Sequence, residues 1–232
     1  MTNHKSESQL LAEMQQFLHS AVHDLRAAQR RTMIAAEMLL QPSTEQERTD
    51  STGQLLQGAA KTEQLLTAIG RYATALTPRR YSRATFPLSR AVRFALANLE
   101  GEIRETGATV TVGDLPEVPG DKDRLTELFE HLIENSLKFR AAEPPQIEIG
   151  AKRVGEQWVF FIKDNGLGIP EKYRERLFVA FRRLHGADVP GAGLGLAISR
   201  NIIEGHGGRI WIDPGRGPGV TFCFTLPNSD GD

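Results

Sequence analysis

A single cysteine among 232 residues, Cys223, excludes an intramolecular disulfide. It lies in the alternating apolar stretch GVTFCFTLP, where a buried, unreactive thiol is the expected state. This cysteine usage fits a reducing, cytoplasmic compartment. No segment approaches the roughly 18 uninterrupted apolar residues of a membrane span, and the polar start MTNHKSESQ lacks the apolar core of a signal peptide, so a soluble chain is expected. An excess of one charge is missing too. With 28 basic and 29 acidic residues the formal net charge is −1, which gives no global attraction to nucleic acid or to an anionic membrane. Any contact with phosphate must therefore be local.

The chain is long enough for two modest domains, and its texture changes once. Leu11, Met14, Leu18, Ala21, Leu25, Ala28, Thr32, Ala35 and Leu39 alternate steps of three and four, which makes one stripe along a helix. After the break QPSTEQERTD the pattern resumes at Leu55, Ala59, Thr62, Leu66, Ile69, Ala73 and Leu76, then stops at TPRR. Two long helices in a hairpin have little interior of their own, so two copies are expected to close their seams into a homodimeric four-helix bundle. From Phe86 the spacing predicts an α/β mixture, with helices over 88–105, 122–139, 171–178 and 194–205. Strands are expected near 109–112 and at QIEIGAKRV, EQWVFFIKDN, GRIWIDP and GVTFCFTLP. The boundary is placed within 77–85, dividing the chain into domains 1–80 and 81–232; the basic PRRYSR there reads as a solvated linker or a phosphate contact. The fold class is α+β, a helical hairpin followed by a sheet covered by helices.

Three stretches of the second part carry ligand chemistry. DNGLGIP, residues 164–170, follows the apolar run WVFFIK, so it sets an acid and two glycines at a strand end, where glycine lets backbone turn sharply and approach a ligand. GAGLGLAISRNII, residues 191–203, runs from glycines into a helix, whose N-terminal N–H groups suit phosphate. Either cluster is also compatible with an ordinary turn. In ELFEHLIENSLKFR, Leu128, Leu132 and Phe139 can pack inward while Asn135 and Lys138 project from an adjacent stripe, offering an amide oxygen for a cation and an ammonium for phosphate. That set suits Mg-ATP.

In this order the chain resembles the sensor histidine kinases: FLHSAVHDLR as the histidine box, EHLIENSLKF as the asparagine box, DNGLGIP and GAGLGLAIS as the glycine boxes, and FVAFRRLHG as the phenylalanine box. HDLR and FRRLHG are similar to the phytochrome-like branch. The resemblance implies a dimerisation and phosphotransfer hairpin followed by a Bergerat-type (GHKL) α/β sandwich that binds ATP and Mg²⁺. By motif position it implies that Asn135 ligates Mg²⁺, Lys138 lies near the phosphates and Asp164 accepts from the adenine amino group. Gly166, Gly168, Gly193, Leu194 and Gly195 would shape the pocket. Phe178 and Phe181 would serve lid positioning or core packing, and the segment 182–192, with Arg182 and Arg183, would form a short lid. The implied partners are a second copy, a response-regulator receiver domain and an upstream sensor domain or protein.

Two histidines fall in the first box. At about 100° per residue His23 points roughly 170° from the apolar seam and His19 roughly 130°, so both are available and helical geometry does not choose. The resemblance does, because an acid, a leucine and an arginine follow His23 as Asp24, Leu25 and Arg26, whereas Ser20 follows His19. A carboxylate beside a neutral imidazole can orient the ring and stabilise its developing charge. His23 is therefore the expected phosphoacceptor and Asp24 its base or orienter. Three departures stand out. Ala28 occupies a frequent proline position and predicts a straighter helix. Ala27 replaces the Thr or Asn that positions water for phosphatase activity. His131 replaces a frequent Asn, and its protonation would place positive charge near the metal. The alternative to a kinase is a non-catalytic dimeric phosphorelay or scaffold module with a degenerate nucleotide domain.

Overall fold

The computed structural model describes residues 7–41, 44–76, 84–180, 193–213 and 218–227. The chain divides into two compact units, one carrying the first two helices and the other the remaining elements. The basic cluster at 78–83, Phe181 and the expected lid at 182–192 lie outside the described residues.

Helices α1 (Glu7–Leu39) and α2 (Glu45–Leu76) form the first unit. α2 starts inside the expected break QPSTEQERTD, at a capping box: the Thr44 N–H donates to Glu47 Oε2 at 2.8 Å, and the Glu47 N–H donates to Thr44 Oγ1 at 3.3 Å. The Thr44 backbone bond, helped by the Thr44 hydroxyl, holds the Glu47 carboxyl below its ordinary pKa. α1 continues through Ala28, which is fully buried, as expected where no proline interrupts the hydrogen-bond ladder. The buried positions step by sevens along both helices, Ala21, Ala28 and Ala35 on α1 and Ser51, Gly58 and Leu65 on α2.

Within the single chain the covered edge of α2 lies one residue before the seam expected to close in a dimer. Ala59, Leu66 and Ala73 are exposed, and Gly58 and Leu65, one residue earlier in each of the first two cases, are buried instead. The reason is close approach: a Cβ on Gly58 would stand 2.4 Å from Thr32 Oγ1, so α2 turns its glycine, not its alanine, toward α1. Leu18, also placed in the seam, is 52% exposed. Opposite stability effects are expected at two α2 glycines. Nothing lies within 4 Å of a Cβ on Gly53, so Gly53→Ala should raise thermal stability by about 1 kcal/mol through helix propensity. Gly58→Ala should lower it despite the same propensity gain; thermal melts of the two variants decide this.

In the second unit, β1 (Thr85–Pro87) pairs antiparallel with β3 (Glu117–Pro119). The expected helix over 88–105 is two helices, α3 (Ser89–Asn98) and α4 (Glu100–Thr106), separated at the buried Leu99. α4 ends at Gly107, whose φ of 66° is one that glycine adopts without a Cβ penalty. A five-stranded sheet follows the order β2-β4-β5-β7-β6, from β2 (Thr109–Val112), β4 (Gln146–Val154), β5 (Gln157–Asp164), β6 (Ile210–Ile212) and β7 (Thr221–Thr225). β2 runs parallel to β4 and the other pairs are antiparallel.

Alternation along these strands sends Ile149, Ile162, Phe222 and Ile212 across one row and Phe160, Phe224 and Ile210 across the next. This face meets α5 (Lys122–Lys138), where Phe129 packs edge-on against Phe224 with ring centroids 6.0 Å apart. α6 (Gly195–Gly205) lies beside α5 and buries Ile198, Ile202 and Ile203. Leu128 and Leu132 are fully buried as expected, whereas Phe139, just past the end of α5, is only half-buried. On the opposite sheet face the Phe161 ring covers Gly150, where a Cβ would come within 2.6 Å of it. Cys223 pairs with Phe161 there and is buried; burial, reinforced by the nearby Asp213 charge, pushes its thiol pKa up to about 11, which keeps it protonated and unreactive at neutral pH. The segment 171–178, expected as one helix, is two 3-10 turns, 171–173 and 175–178, and Phe178 is buried.

Candidate active site

Asp164 is the last residue of β5 and is only 6% exposed. Its Oδ1 accepts from the Gly166 N–H at 2.9 Å and from the Val220 N–H at 3.0 Å, and its Oδ2 accepts from the Ser136 hydroxyl at 2.9 Å. A carboxylate has about four lone-pair positions, so one direction on Oδ2 remains for a ligand N–H. Burial pushes the carboxyl pKa upward, against the downward pull of the bonds from Gly166, Ser136 and Val220. The folded state thus holds this proton more tightly than the unfolded chain. The stability this contributes is present at low pH and lost as pH rises through the raised value, so the ionised carboxylate is a cost at neutral pH.

The loop after Asp164 is pressed against the end of α5. The Leu167 N–H donates to the Phe139 carbonyl at 3.0 Å, and a Cβ on Gly166 would lie 2.5 Å from that oxygen. Gly168 has φ 77°. From the other side Gly219 approaches with φ 88°, and a Cβ there would lie 1.8 Å from the Asp164 carbonyl oxygen. Gly219 and Ser136 were not singled out from the sequence. Their signals are GPG just before a strand and a serine directly after Asn135, and neither reveals which acid it meets. Asn165 turns away and ties the loop to β4, its Oδ1 accepting from Gln146 N–H at 2.8 Å.

Asn135 and Lys138 flank Ser136 on α5, so the contacts of Ser136 and Phe139 bring the asparagine box to the first glycine box. The Asn135 side chain is half-buried and makes no hydrogen bond among the described residues, which leaves its amide oxygen available. No cluster of three His, Cys, Asp or Glu side chains able to hold a metal occurs among the described residues. The Asn135 amide oxygen could serve as one oxygen ligand to a Mg²⁺ whose remaining ligands are substrate phosphates and water. Lys138 Nζ lies 5.7 Å from the Phe139 ring centroid.

Gly195 starts α6 against His131, whose Nδ1 would be 3.5 Å from a Cβ on that glycine. Gly193 has φ 68° and Leu194 is 2% exposed; both immediately precede α6 in the chain. The side chain of His131 is 8% exposed, with Nε2 3.9 Å from Glu127 Oε1 and Nδ1 3.8 Å from Glu134 Oε2. Glu127 is itself engaged by Arg124, whose Nη1 donates to its Oε2 at 2.7 Å, and the buried His131 Nε2 has no hydrogen-bond partner among the described residues.

In the helical unit His23 and Asp24 form an exposed pair, with His23 Nδ1 3.1 Å from Asp24 Oδ1 and side-chain exposures of 72% and 42%. His19 is also exposed and no hydrogen bond orients it among the described residues. When Nδ1 carries the proton donated to Asp24, the lone pair is on Nε2.

Residues 120–230 match the family described as histidine kinase-, DNA gyrase B- and HSP90-like ATPase. Cyanobacterial phytochrome A of Nostoc sp. is 37% identical over 220 residues, covering 93% of this chain and 29% of that protein. The methanogenesis regulatory histidine kinase FilI of Methanothrix harundinacea is 42% identical over 138 residues, covering 59% of this chain and 16% of the relative. The chain thus spans less than a third of the curated relatives it matches. The crystal structure of histidine kinase ThkA in complex with the response regulator TrrA superposes with a TM-score of 0.76 at 21% identity, covering 97% of this chain and 64% of that one, which shows a shared fold. No described helix is long and apolar enough to cross a membrane. Asp164, Asn135 and the glycine loops thus lie in a histidine kinase-, DNA gyrase B- and HSP90-like ATPase domain, in a chain whose relatives are histidine kinases.

Proposed function

We propose that the chain is the catalytic core of an ATP-dependent protein-histidine kinase. What carries this reading is the presence in one chain of an exposed histidine oriented by its neighbouring acid and an ATPase domain whose buried Asp164 keeps one acceptor direction open. Asp164 takes the adenine amino group and Asn135 ligates Mg²⁺, which supplies charge neutralisation at the phosphates. Lys138 lies near those phosphates, and Gly166, Gly168, Gly193, Leu194 and Gly195 shape the pocket. His23 Nε2 attacks the γ-phosphorus, the bond to the ADP oxygen breaks, and the Nδ1 proton stays shared with Asp24. The phosphoryl group then passes to an aspartate of a response-regulator receiver domain, the class of protein bound in the ThkA complex.

The working unit is a homodimer of cytoplasmic chains, with residues 1–80 as the dimerisation and phosphotransfer part and 81–232 as the catalytic part, fed by an upstream sensor domain or protein. Leu18, Val22, Leu56 and Leu66 are exposed in the single chain, a set that a four-helix bundle would cover. Incubation with γ-labelled ATP and Mg²⁺ tests the reading: acid-labile, alkali-stable label on the chain supports it, and ATP binding without label selects the non-catalytic scaffold. Ala27, four residues after His23, has no side-chain hydrogen bond to offer an attacking water. Dephosphorylation of a phosphorylated receiver domain is therefore expected to stay within about twofold of spontaneous loss; a rate well above that in a regulator time course would contradict this.

A further inference from the structure

His206 lies just past α6 and has no part in the site described above. Its Nε2 accepts from the Asp121 N–H at 3.0 Å, and its Nδ1 faces the Ile202 carbonyl oxygen at 2.7 Å. A carbonyl can only accept, so Nδ1 carries a proton; a backbone N–H can only donate, so Nε2 carries a lone pair. The two partners together select the neutral ring in one tautomer. An imidazolium would turn a second N–H against the Asp121 N–H.

Local sequence explains why the ring reaches that far. The next two residues stop α6 and fix the exit of the chain. Gly207, at φ 81°, donates to the Glu204 carbonyl at 2.9 Å, and Gly208 donates to the Ile203 carbonyl at 2.9 Å while passing so close to β7 that a Cβ would stand 1.9 Å from Thr225 O. On the other side Gly120 makes room, since a Cβ there would come within 3.0 Å of His206 Cδ2. Asp121 is the N-cap of α5, its side chain accepting from the Asp123 and Arg124 N–H groups. His206 thus joins the end of α6 to the start of α5. At the start of α6, Gly195 rests on His131 in the middle of α5, one turn before Asn135.

We propose that His206 is a positioning residue for the nucleotide site: the neutral ring bolts the end of α6 to the N-cap of α5, holds the two helices in register, and releases them on acidification, so that nucleotide affinity falls. The coupling to affinity rests on the nucleotide reading of Asp164 and Asn135; the bolt itself does not. Burial pushes the imidazole below its ordinary value, against upward pulls from the Ile202 bond and the Asp121 carboxylate. The unfolded chain therefore binds this proton more readily than the folded one. The stabilisation is complete above the ordinary value of 6.5 and is lost as pH falls below it toward the lowered folded value. Among the described residues the charged group acting on the ring is Asp121 on α5; Glu204, two residues earlier in the chain, is engaged by Arg200 at 2.6 Å, and Gly120 and Leu125 do not titrate.

Two measurements on the full chain test the proposal. Imidazole ¹⁵N shifts of the wild-type protein, which require no variant, should show the Nδ1–H tautomer at neutral pH and titration below 6.5. A fluorescent ATP analogue should then lose about five- to tenfold more affinity between roughly pH 8 and pH 5.5 in wild type than in His206→Gln, whose amide can accept from Asp121 and donate to Ile202 without titrating. An Nε2–H tautomer, titration at or above the ordinary value, or equal pH slopes in the two proteins would each overturn it. Absence of analogue binding at every pH, with the tautomer as expected, would instead sink the nucleotide reading and the coupling with it.

Discussion

His23→Ala is expected to abolish labelling of the chain by γ-labelled ATP, by at least about 10³-fold in initial rate, while His19→Ala keeps labelling within about threefold of wild type. Both rings are exposed, so accessibility does not separate them. Orientation does. In the proposed mechanism the 3.1 Å contact to Asp24 takes the Nδ1 proton, leaves Nε2 as the attacking nitrogen, and sets a negative charge where the ring becomes positive. The pair is exposed, so its contribution to folding is small, and neither substitution should alter the melt. Asp24→Asn should lower the labelling rate by about 10²-fold while leaving the acceptor in place, because an amide can hold the ring but cannot take up its charge. Label mapped to His19, or unchanged label in the His23 variant, would overturn the assignment.

Asp164→Asn is expected to separate folding from ligand binding. The amide oxygen can keep the bonds from the Gly166 and Val220 N–H groups, and the amide nitrogen can donate to the Ser136 hydroxyl, which now donates only to the Leu132 carbonyl, 3.2 Å away. Because burial makes the ionised carboxylate costly at neutral pH, the variant should be as stable as wild type or more so at pH 7, with the advantage fading as pH falls through the raised value. Its affinity for ATP should nonetheless drop by about 10- to 100-fold, since a ligand amine then meets an N–H donor where it had a charged acceptor. Thermal melts and calorimetric titration with ATP measure the two halves separately. Equal losses in both would mean that Asp164 is purely structural.

The local patterns were legible because they depend on near neighbours. Period-two alternation placed β4, β5 and β7 within a residue or two, whereas α2 begins at Glu45, inside the break expected at QPSTEQERTD. The segments that departed from expectation are those where a distant contact outweighs local preference. The helix over 88–105 breaks where Leu99 is buried, and α2 rotates to set Gly58 against Thr32. A periodicity in one helix shows that an apolar stripe exists; which edge of that stripe is covered depends on the helix beside it.

The sequence by itself determined the chemistry on offer: an acid beside His23, an amide at Asn135, a carboxylate with two glycines at the end of an apolar strand, and a thiol with no partner. These are properties of residue type and short spacing. The tertiary structure alone decided what each group meets. Ser136 reaches Asp164 across 28 positions, Val220 reaches it across 56, and His206 reaches Asp121 across 85. Such pairs form only when the sheet and its helices close on one another, and the burial that accompanies closure is what moves the pKa values of Asp164 and His206 in opposite directions, since each group is pushed toward its neutral form.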